Sequence, residues 1–154
     1  MSATTDRALS ALDKNLDASL KRLFELVSIS SISTDPAYAK DCRRAAEWLV
    51  KDLESIGFTA SVRETKGHPM VVAHHPGPDE RAPHVLFYGH YDVQPVDPLD
   101  LWENDPFKPA VREADGRRII TGRGSADDKG QLMTFVEACR AYKEVNGSLP
   151  CEIT

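Results

Sequence analysis

Apolar residues recur every three or four positions over the first third of the chain, which predicts two amphipathic helices. The apolar side of the first helix, expected to lie in the core, comprises Leu9, Leu12, Leu16, Leu20, Leu23 and Val27. Asp35 and Pro36 suit the N-cap and first turn of the second helix, and Gly57 suits its end. Its inner face comprises Ala39, Cys42, Ala46, Leu49, Leu53 and Ile56.

The spacing of apolar residues changes after Gly57 and indicates strands. Short strands are predicted over residues 58–63 and 70–74, and the continuous apolar run over 84–89 suits a strand buried on both faces. A hairpin turns at Asp115-Gly116, and a third helix runs from Asp128 to about Val145. Helices alternating with apolar strands predict an α/β domain with a mixed or largely parallel sheet.

The final residues, from Cys151 to Thr154, read as the start of another strand. A buried strand needs hydrogen-bonding neighbours, so we expect residues 1–154 to be the N-terminal part of a larger catalytic domain. The alternative is that the 154 residues form a complete small domain, which would fold cooperatively and stay in solution. We expect partial folding and aggregation, because an interrupted sheet exposes an apolar edge.

Composition narrows the function classes without identifying one. The net charge is −5, with 41% hydrophobic and 28% charged residues, so nothing favours binding to nucleic acid or to an anionic membrane. We find no signal peptide and no apolar stretch long enough to span a membrane. The three cysteines, at unrelated spacings, indicate reduced thiols in a cytoplasmic protein.

Two glycine-flanked segments carry the candidate chemistry. In Gly89-His90-Tyr91-Asp92-Val93-Gln94-Pro95, residues two apart on an extended chain share a face, so the carboxylate of Asp92 can hold the ring of His90 while that ring binds a metal. In Gly122-Arg123-Gly124-Ser125-Ala126-Asp127-Asp128-Lys129-Gly130, one carboxylate can cap the following helix and the other can bind or bridge cations. Each segment alone is also common without a metal, and only their combination favours a metal site.

Together these segments resemble the M20 family of metallopeptidases, which includes carnosinase-like dipeptidases, aminoacylases, acetylornithine deacetylase and succinyl-diaminopimelate desuccinylase. The resemblance extends over essentially the whole chain. It also includes the Val-Ser-Ile-Ser-Ser sequence that ends the first helix, and Trp102 followed by Asp105-Pro106-Phe107. It implies a three-layer zinc-peptidase-like catalytic domain, incomplete in this chain.

The resemblance also implies roles for individual residues. His90 would bind one zinc, Asp92 would orient and polarise that histidine, and Asp127 would bridge two zinc ions, with Mn²⁺ or Co²⁺ as alternatives. The peptide between Asp127 and Asp128 would be cis, and Asp128 would be structural rather than a ligand. A Glu-Glu pair with the general base, two further ligands and a dimerisation domain would lie beyond Thr154, so the fragment should be inactive.

The implied reaction is metal-assisted hydrolysis of an amide bond. The residues of the two motifs resemble the dipeptidase branch of the family more than the deacylases. The alternatives are an N-acyl-amino-acid deacylase and a non-catalytic scaffold. The full-length protein would form a homodimer. The other histidines are expected not to bind metal: His74 and His75 are adjacent on a strand and point to opposite faces, and His68 and His84 are isolated.

Overall fold

The computed structural model describes residues 3–154 as an α/β fold with four α-helices, six strands and two short 3₁₀ turns. The helices are α1 (Ala3–Lys14), α2 (Leu16–Val27), α3 (Ala39–Ser55) and α4 (Lys129–Asn146). The 3₁₀ turns cover Pro36–Tyr38 and Leu99–Leu101. The strands are β1 (Thr59–Arg63), β2 (Met70–His74), β3 (His84–Val85), β4 (Ala110–Ala114), β5 (Arg117–Thr121) and β6 (Glu152–Ile153).

The single first helix expected from the leucine spacing is two helices, because the helix breaks at Asn15. An asparagine side chain competes for hydrogen bonds and favours helix ends over interiors; here it donates to a carboxylate oxygen of Glu144 on α4 at 3.3 Å. The apolar stripe is therefore only partly core. Leu23 and Val27 are buried, whereas Leu9 and Leu16 are 43% and 44% exposed.

The second predicted helix begins as a 3₁₀ turn over Pro36–Tyr38, continues as α3 from Ala39, and ends just before Gly57 as expected. Asp35 caps the 3₁₀ turn that precedes α3, its carboxylate accepting a hydrogen bond from the backbone N–H of Ala37 at 2.9 Å. Gly57 follows the helix with a φ of +90°, a conformation in which a side chain is strained. The buried face of α3 comprises Cys42, Ala45, Ala46 and Leu49.

The strands pair in a mixed pattern, as expected. Strands β1 and β2 are antiparallel, β3 and β6 are parallel, and β4 and β5 form an antiparallel hairpin that turns at Asp115 and Gly116, both with positive φ. A bridge between His75 and Ile153 connects the end of β2 to β6, giving the spatial order β1-β2-β6-β3. Helices α2, α3 and α4 share one apolar core that includes Leu26, Leu49 and Val136.

The prediction of a strand buried on both faces over residues 84–89 is wrong. Only His84 and Val85 are in a strand, and Leu86 and Tyr88 are 78% and 82% exposed. Leu86 and Tyr88 share one face of the run, and their exposure shows that nothing within residues 3–154 covers that face. Phe87 is held by stacking on Phe135 of α4, with ring centroids 3.8 Å apart. No helix within residues 3–154 is long and apolar enough to cross a membrane.

Candidate metal centre

His90 and Asp127, 37 positions apart in the sequence, lie side by side. The Nε2 atom of His90 is 3.1 Å from an oxygen of the Asp127 carboxylate. His90 follows the extended run after β3, and Asp127 lies two residues before Lys129, the first residue of α4. The Asp127 side chain is 83% exposed, so its second oxygen is open to solvent.

The other ring nitrogen of His90 faces Asp92, in agreement with the two-residue spacing of an extended chain. Nδ1 lies 3.3 Å from a carboxylate oxygen of Asp92 and 3.2 Å from its backbone oxygen. Burial by itself would lower the pKa of His90. The bond to the Asp92 carbonyl and the negative charges of Asp92, Asp128 and Asp127 outweigh burial and raise the pKa above its usual 6.5. The surroundings of His90 are therefore negatively charged, which favours binding of a cation.

A serine-rich segment, residues 28–34, fixes the position of residues 91–93. Ser33 donates a 2.6 Å hydrogen bond to the Asp92 carboxylate, and Ser31, which is fully buried, donates to the carbonyl of Tyr91 at 2.7 Å. The backbone N–H of Val93 donates to the carbonyl of Ser31 at 2.9 Å. Sequence reasoning assigned this segment no contact with the site, although its serine content was the available signal.

Asp128 fixes the backbone of His90 by a hydrogen bond. Its carboxylate accepts a 2.9 Å hydrogen bond from the backbone N–H of His90, and it makes no side-chain bond to the start of α4. The expected role of one aspartate as a hydrogen-bonding helix cap is therefore wrong, because this carboxylate points to His90. The peptide between Asp127 and Asp128 is cis, as the family resemblance implied.

Lys129, the residue that follows the acidic pair in the sequence, is fully buried. Its amino group donates to the carbonyls of Leu26 and Ile29 at 3.0 and 2.7 Å, connecting the start of α4 to the end of α2. Burial lowers the pKa of this lysine from 10.5 to about 7. Its side chain also packs against Gly124, so the loop that carries Asp127 and Asp128 is in contact with a buried, hydrogen-bonded side chain.

Trp102 and Arg123 hold the long loop after residue 93 in place. The indole N–H of Trp102 donates to the carbonyl of Val96 at 2.8 Å. The guanidinium of Arg123 lies 5.0 Å from the centre of the Trp102 ring and donates to the carbonyl of Pro95 at 3.0 Å. Neither side chain lies between His90 and Asp127, so both act on the loop.

A cavity of about 490 Å³ opens beside His90 and Asp92. Its walls are mainly apolar and include Phe58, Val71 and Leu132. His68 also lines it, with Nε2 2.8 Å from the carbonyl oxygen of Ser33. An apolar cavity with a few converging polar groups is the usual form of a small-molecule site.

The donor set at His90 and Asp127 fits a zinc-type cation. Zinc binds imidazole nitrogen and carboxylate oxygen at about 2.0–2.2 Å, so two atoms 3.1 Å apart can share one ion. The Asp127 oxygen that faces away from His90 leaves room for a second cation. Asp92 holds the far side of the His90 ring, as carboxylates commonly do for metal-binding histidines.

Comparison with known proteins agrees with this fold. Residues 86–154 match the family described as Peptidase family M20/M25/M40. The chain is 31% identical to the Cys-Gly metallodipeptidase dug1 of Schizosaccharomyces pombe, over 99% of this chain and 33% of that protein. It is 33% identical to the cysteinylglycine-S-conjugate dipeptidase of Corynebacterium striatum, over 94% of this chain and 32% of that protein.

Solved structures of M20 peptidases share this fold. The chain superposes on the crystal structure of human carnosine dipeptidase 1 with a TM-score of 0.85 and 28% identity, over 99% of this chain and 34% of that one. The mixed α/β fold of this chain matches the fold of solved M20 dipeptidase structures over nearly its whole length. The chain belongs to the M20 peptidase family, and it spans about a third of the length of the curated relatives it matches.

Proposed function

We propose that this chain forms part of the metal centre of a hydrolase that cleaves dipeptides. His90 would hold one zinc ion, and the carboxylate of Asp127 would hold the zinc pair. The observation that carries the proposal is the 3.1 Å approach of His90 Nε2 to Asp127. Support for the substrate class comes from the relatives, whose names include Cys-Gly, cysteinylglycine-conjugate and Beta-Ala-His dipeptidases.

The residues of this chain act mainly by positioning in the proposed reaction. Asp92 keeps the His90 ring in one orientation, and Ser33 fixes the Asp92 carboxylate in turn. The cavity beside His90 holds the apolar part of a small substrate and excludes water there. A zinc pair, when bound, supplies Lewis-acid polarisation of the scissile carbonyl and a water of lowered pKa.

Two protein ligands leave most of the coordination of two metal ions unfilled. We therefore propose that residues 1–154 are the first part of a catalytic domain, and that the general base and the other ligands come from elsewhere in the whole protein. The alignment over nearly all of this chain but about a third of each relative supports this division. By itself, the 154-residue chain should bind zinc weakly at His90 and Asp127 and hydrolyse nothing measurable.

The test uses the whole protein, assayed with Cys-Gly, β-Ala-His and N-acetylated amino acids while zinc content is measured. His90→Ala and Asp127→Ala should each lower kcat/KM for dipeptides by at least about 100-fold and reduce bound zinc, since removal of even a supporting partner costs 10–100-fold. The matched control is Asp100→Ala, an exposed carboxylate outside the site that should change neither quantity.

Three results would contradict parts of the proposal. Full zinc content and activity in both His90→Ala and Asp127→Ala would remove these residues from the metal centre. Hydrolysis of N-acetylated amino acids with no cleavage of dipeptides would support a deacylase instead. Absence of any hydrolysis by the zinc-loaded whole protein would support a scaffold.

We also propose a homodimer for the whole protein, which light scattering can check.

A further inference from the structure

Three strands bring His74, Glu152 and His84 to one face of the sheet. In the parallel pair of β3 and β6, His84 is opposite Glu152, so their side chains point the same way. The bridge between His75 and Ile153 sets β2 antiparallel to β6 and puts His74 on the same face as Glu152. His75 points to the opposite face, where it is buried against Phe58.

The ligand atoms of these three side chains are close enough to share one ion. The Nδ1 atoms of His74 and His84 lie 3.9 and 3.6 Å from the same carboxylate oxygen of Glu152. One nitrogen or oxygen from each residue can be chosen so that all three lie within 4.8 Å of one another. Two ligands at about 2.0–2.2 Å from one zinc can be about 4 Å apart at most, so small rotations of these side chains suffice.

Two further contacts show that the imidazole edges converge. A nitrogen of each ring is within hydrogen-bonding distance of the Thr154 hydroxyl, 3.2 Å for His74 and 2.9 Å for His84. The two rings are nearly perpendicular, at 85°, and therefore do not stack. Within residues 3–154, no lysine or arginine forms an ion pair with Glu152, and the basic groups within 4 Å of its carboxylate are the two histidines.

We propose that His74, His84 and Glu152 form a second metal site, which binds Zn²⁺ or a similar first-row transition-metal ion. Two imidazoles and one carboxylate suit such ions and not Mg²⁺ or Ca²⁺, which prefer oxygen ligands. None of the three residues belongs to the segments that carry His90 and Asp127, so the site is independent of the proposed hydrolase centre. The ion connects β2, β3 and β6 and stabilises their pairing.

The proposal requires that metal binding survives loss of the first centre. The whole protein carrying both His90→Ala and Asp127→Ala is titrated with ZnCl₂ in a calorimeter, and its thermal unfolding is followed with and without Zn²⁺. We expect one bound zinc per chain and a higher Tm with Zn²⁺, and no change in Tm with Mg²⁺. Adding His84→Gln or Glu152→Gln should weaken zinc binding at least tenfold and abolish the rise in Tm, whereas the control Asp100→Asn, at an exposed carboxylate outside both sites, should leave both unchanged.

A second measurement is independent of stability. Cu²⁺ bound to the double variant should show electron-spin couplings to two imidazole nitrogens, and to one after His74→Gln or His84→Gln. Far-UV circular dichroism checks that each variant is folded. Two results would overturn this site without affecting the proposal for His90 and Asp127. The first is failure of the double variant to bind zinc. The second is a zinc affinity that stays equal to that of the double variant after His84→Gln or Glu152→Gln is added.

Discussion

The guanidinium of Arg22 on α2 donates two hydrogen bonds of 2.6 Å each to the two carboxylate oxygens of Glu137 on α4. Ser19 donates to the same carboxylate at 2.8 Å, and Arg140 extends the network to Asp52 of α3 at 2.6 Å. The Glu137 side chain is 8% exposed, so the pair is largely desolvated. This network joins the three helices that enclose the core.

Glu137→Gln should lower the free energy of unfolding by about 3 kcal/mol at pH 7, because the neutral amide leaves two partly buried guanidiniums less compensated. Glu64→Gln provides the control. Glu64 also pairs with an arginine, but its side chain is 69% exposed, so the loss should stay below about 1 kcal/mol. Urea unfolding measures both, and similar losses in the two variants would contradict the burial argument.

The contribution of Glu137 should depend on pH. Burial tends to raise its pKa, but hydrogen bonds from Arg22 and Ser19 outweigh burial and hold the pKa below the usual 4.5. A carboxyl with a lowered pKa in the folded state stabilises fully above 4.5, and this stabilisation is lost as the pH falls through the folded-state pKa. The difference in unfolding free energy between parent and Glu137→Gln should therefore be constant from pH 5 to 7 and shrink below about 4.5. A difference that grows on acidification would contradict the pKa direction.

Gly130→Ala should displace the loop that carries Asp127. A Cβ atom on Gly130 would lie 2.0 Å from the carbonyl oxygen of Ser125, which is backbone and cannot rotate away. We expect a loss of about 2 kcal/mol in unfolding free energy and weaker zinc binding. The control is Gly67→Ala, where the nearest atom outside the adjacent residues is 3.9 Å away. Equal stability and equal zinc affinity in the two variants would show that the loop tolerates the side chain.

Asp92→Asn should weaken zinc binding without unfolding the chain. The substitution keeps the shape of the side chain but removes the charge that faces His90 Nδ1, and supporting groups of this kind typically contribute 10–100-fold to metal affinity. Zinc titration of the whole protein measures the effect, with Asp100→Asn as the control. An affinity within twofold of the parent would contradict the orienting role of Asp92.

The three cysteines should differ in reactivity. Cys42 and Cys139 are buried, whereas Cys151 is partly exposed. Burial raises the pKa of Cys139 to about 11, which leaves about 100-fold less reactive thiolate than a pKa of 9 would. A thiol reagent at pH 8 should therefore label Cys151 first, and Cys151→Ser should remove that fast phase. Rapid labelling of all three before urea is added would show that the helices do not shield Cys42 and Cys139.

Local rules account for most of the secondary structure. The three- and four-residue spacing predicted α3 and α4, and Asp115-Gly116 predicted the hairpin between β4 and β5. The break at Asn15 was not predicted, because its contact with Glu144 joins residues far apart in the sequence. The exposed run at residues 84–89 was also missed, because a strand's burial depends on which neighbours cover it.

For the candidate site, the sequence alone selected His90, Asp92, Asp127 and Asp128, because glycine-flanked acidic and imidazole groups beside regular elements form a local pattern. Tertiary structure alone decided which atoms meet: His90 with Asp127, Asp128 with the His90 backbone, Lys129 with the end of α2. It alone brought His74, His84 and Glu152 together. The physical reason is that periodicity and turn chemistry act over a few residues, whereas these contacts depend on strand register and helix packing between distant parts of the chain.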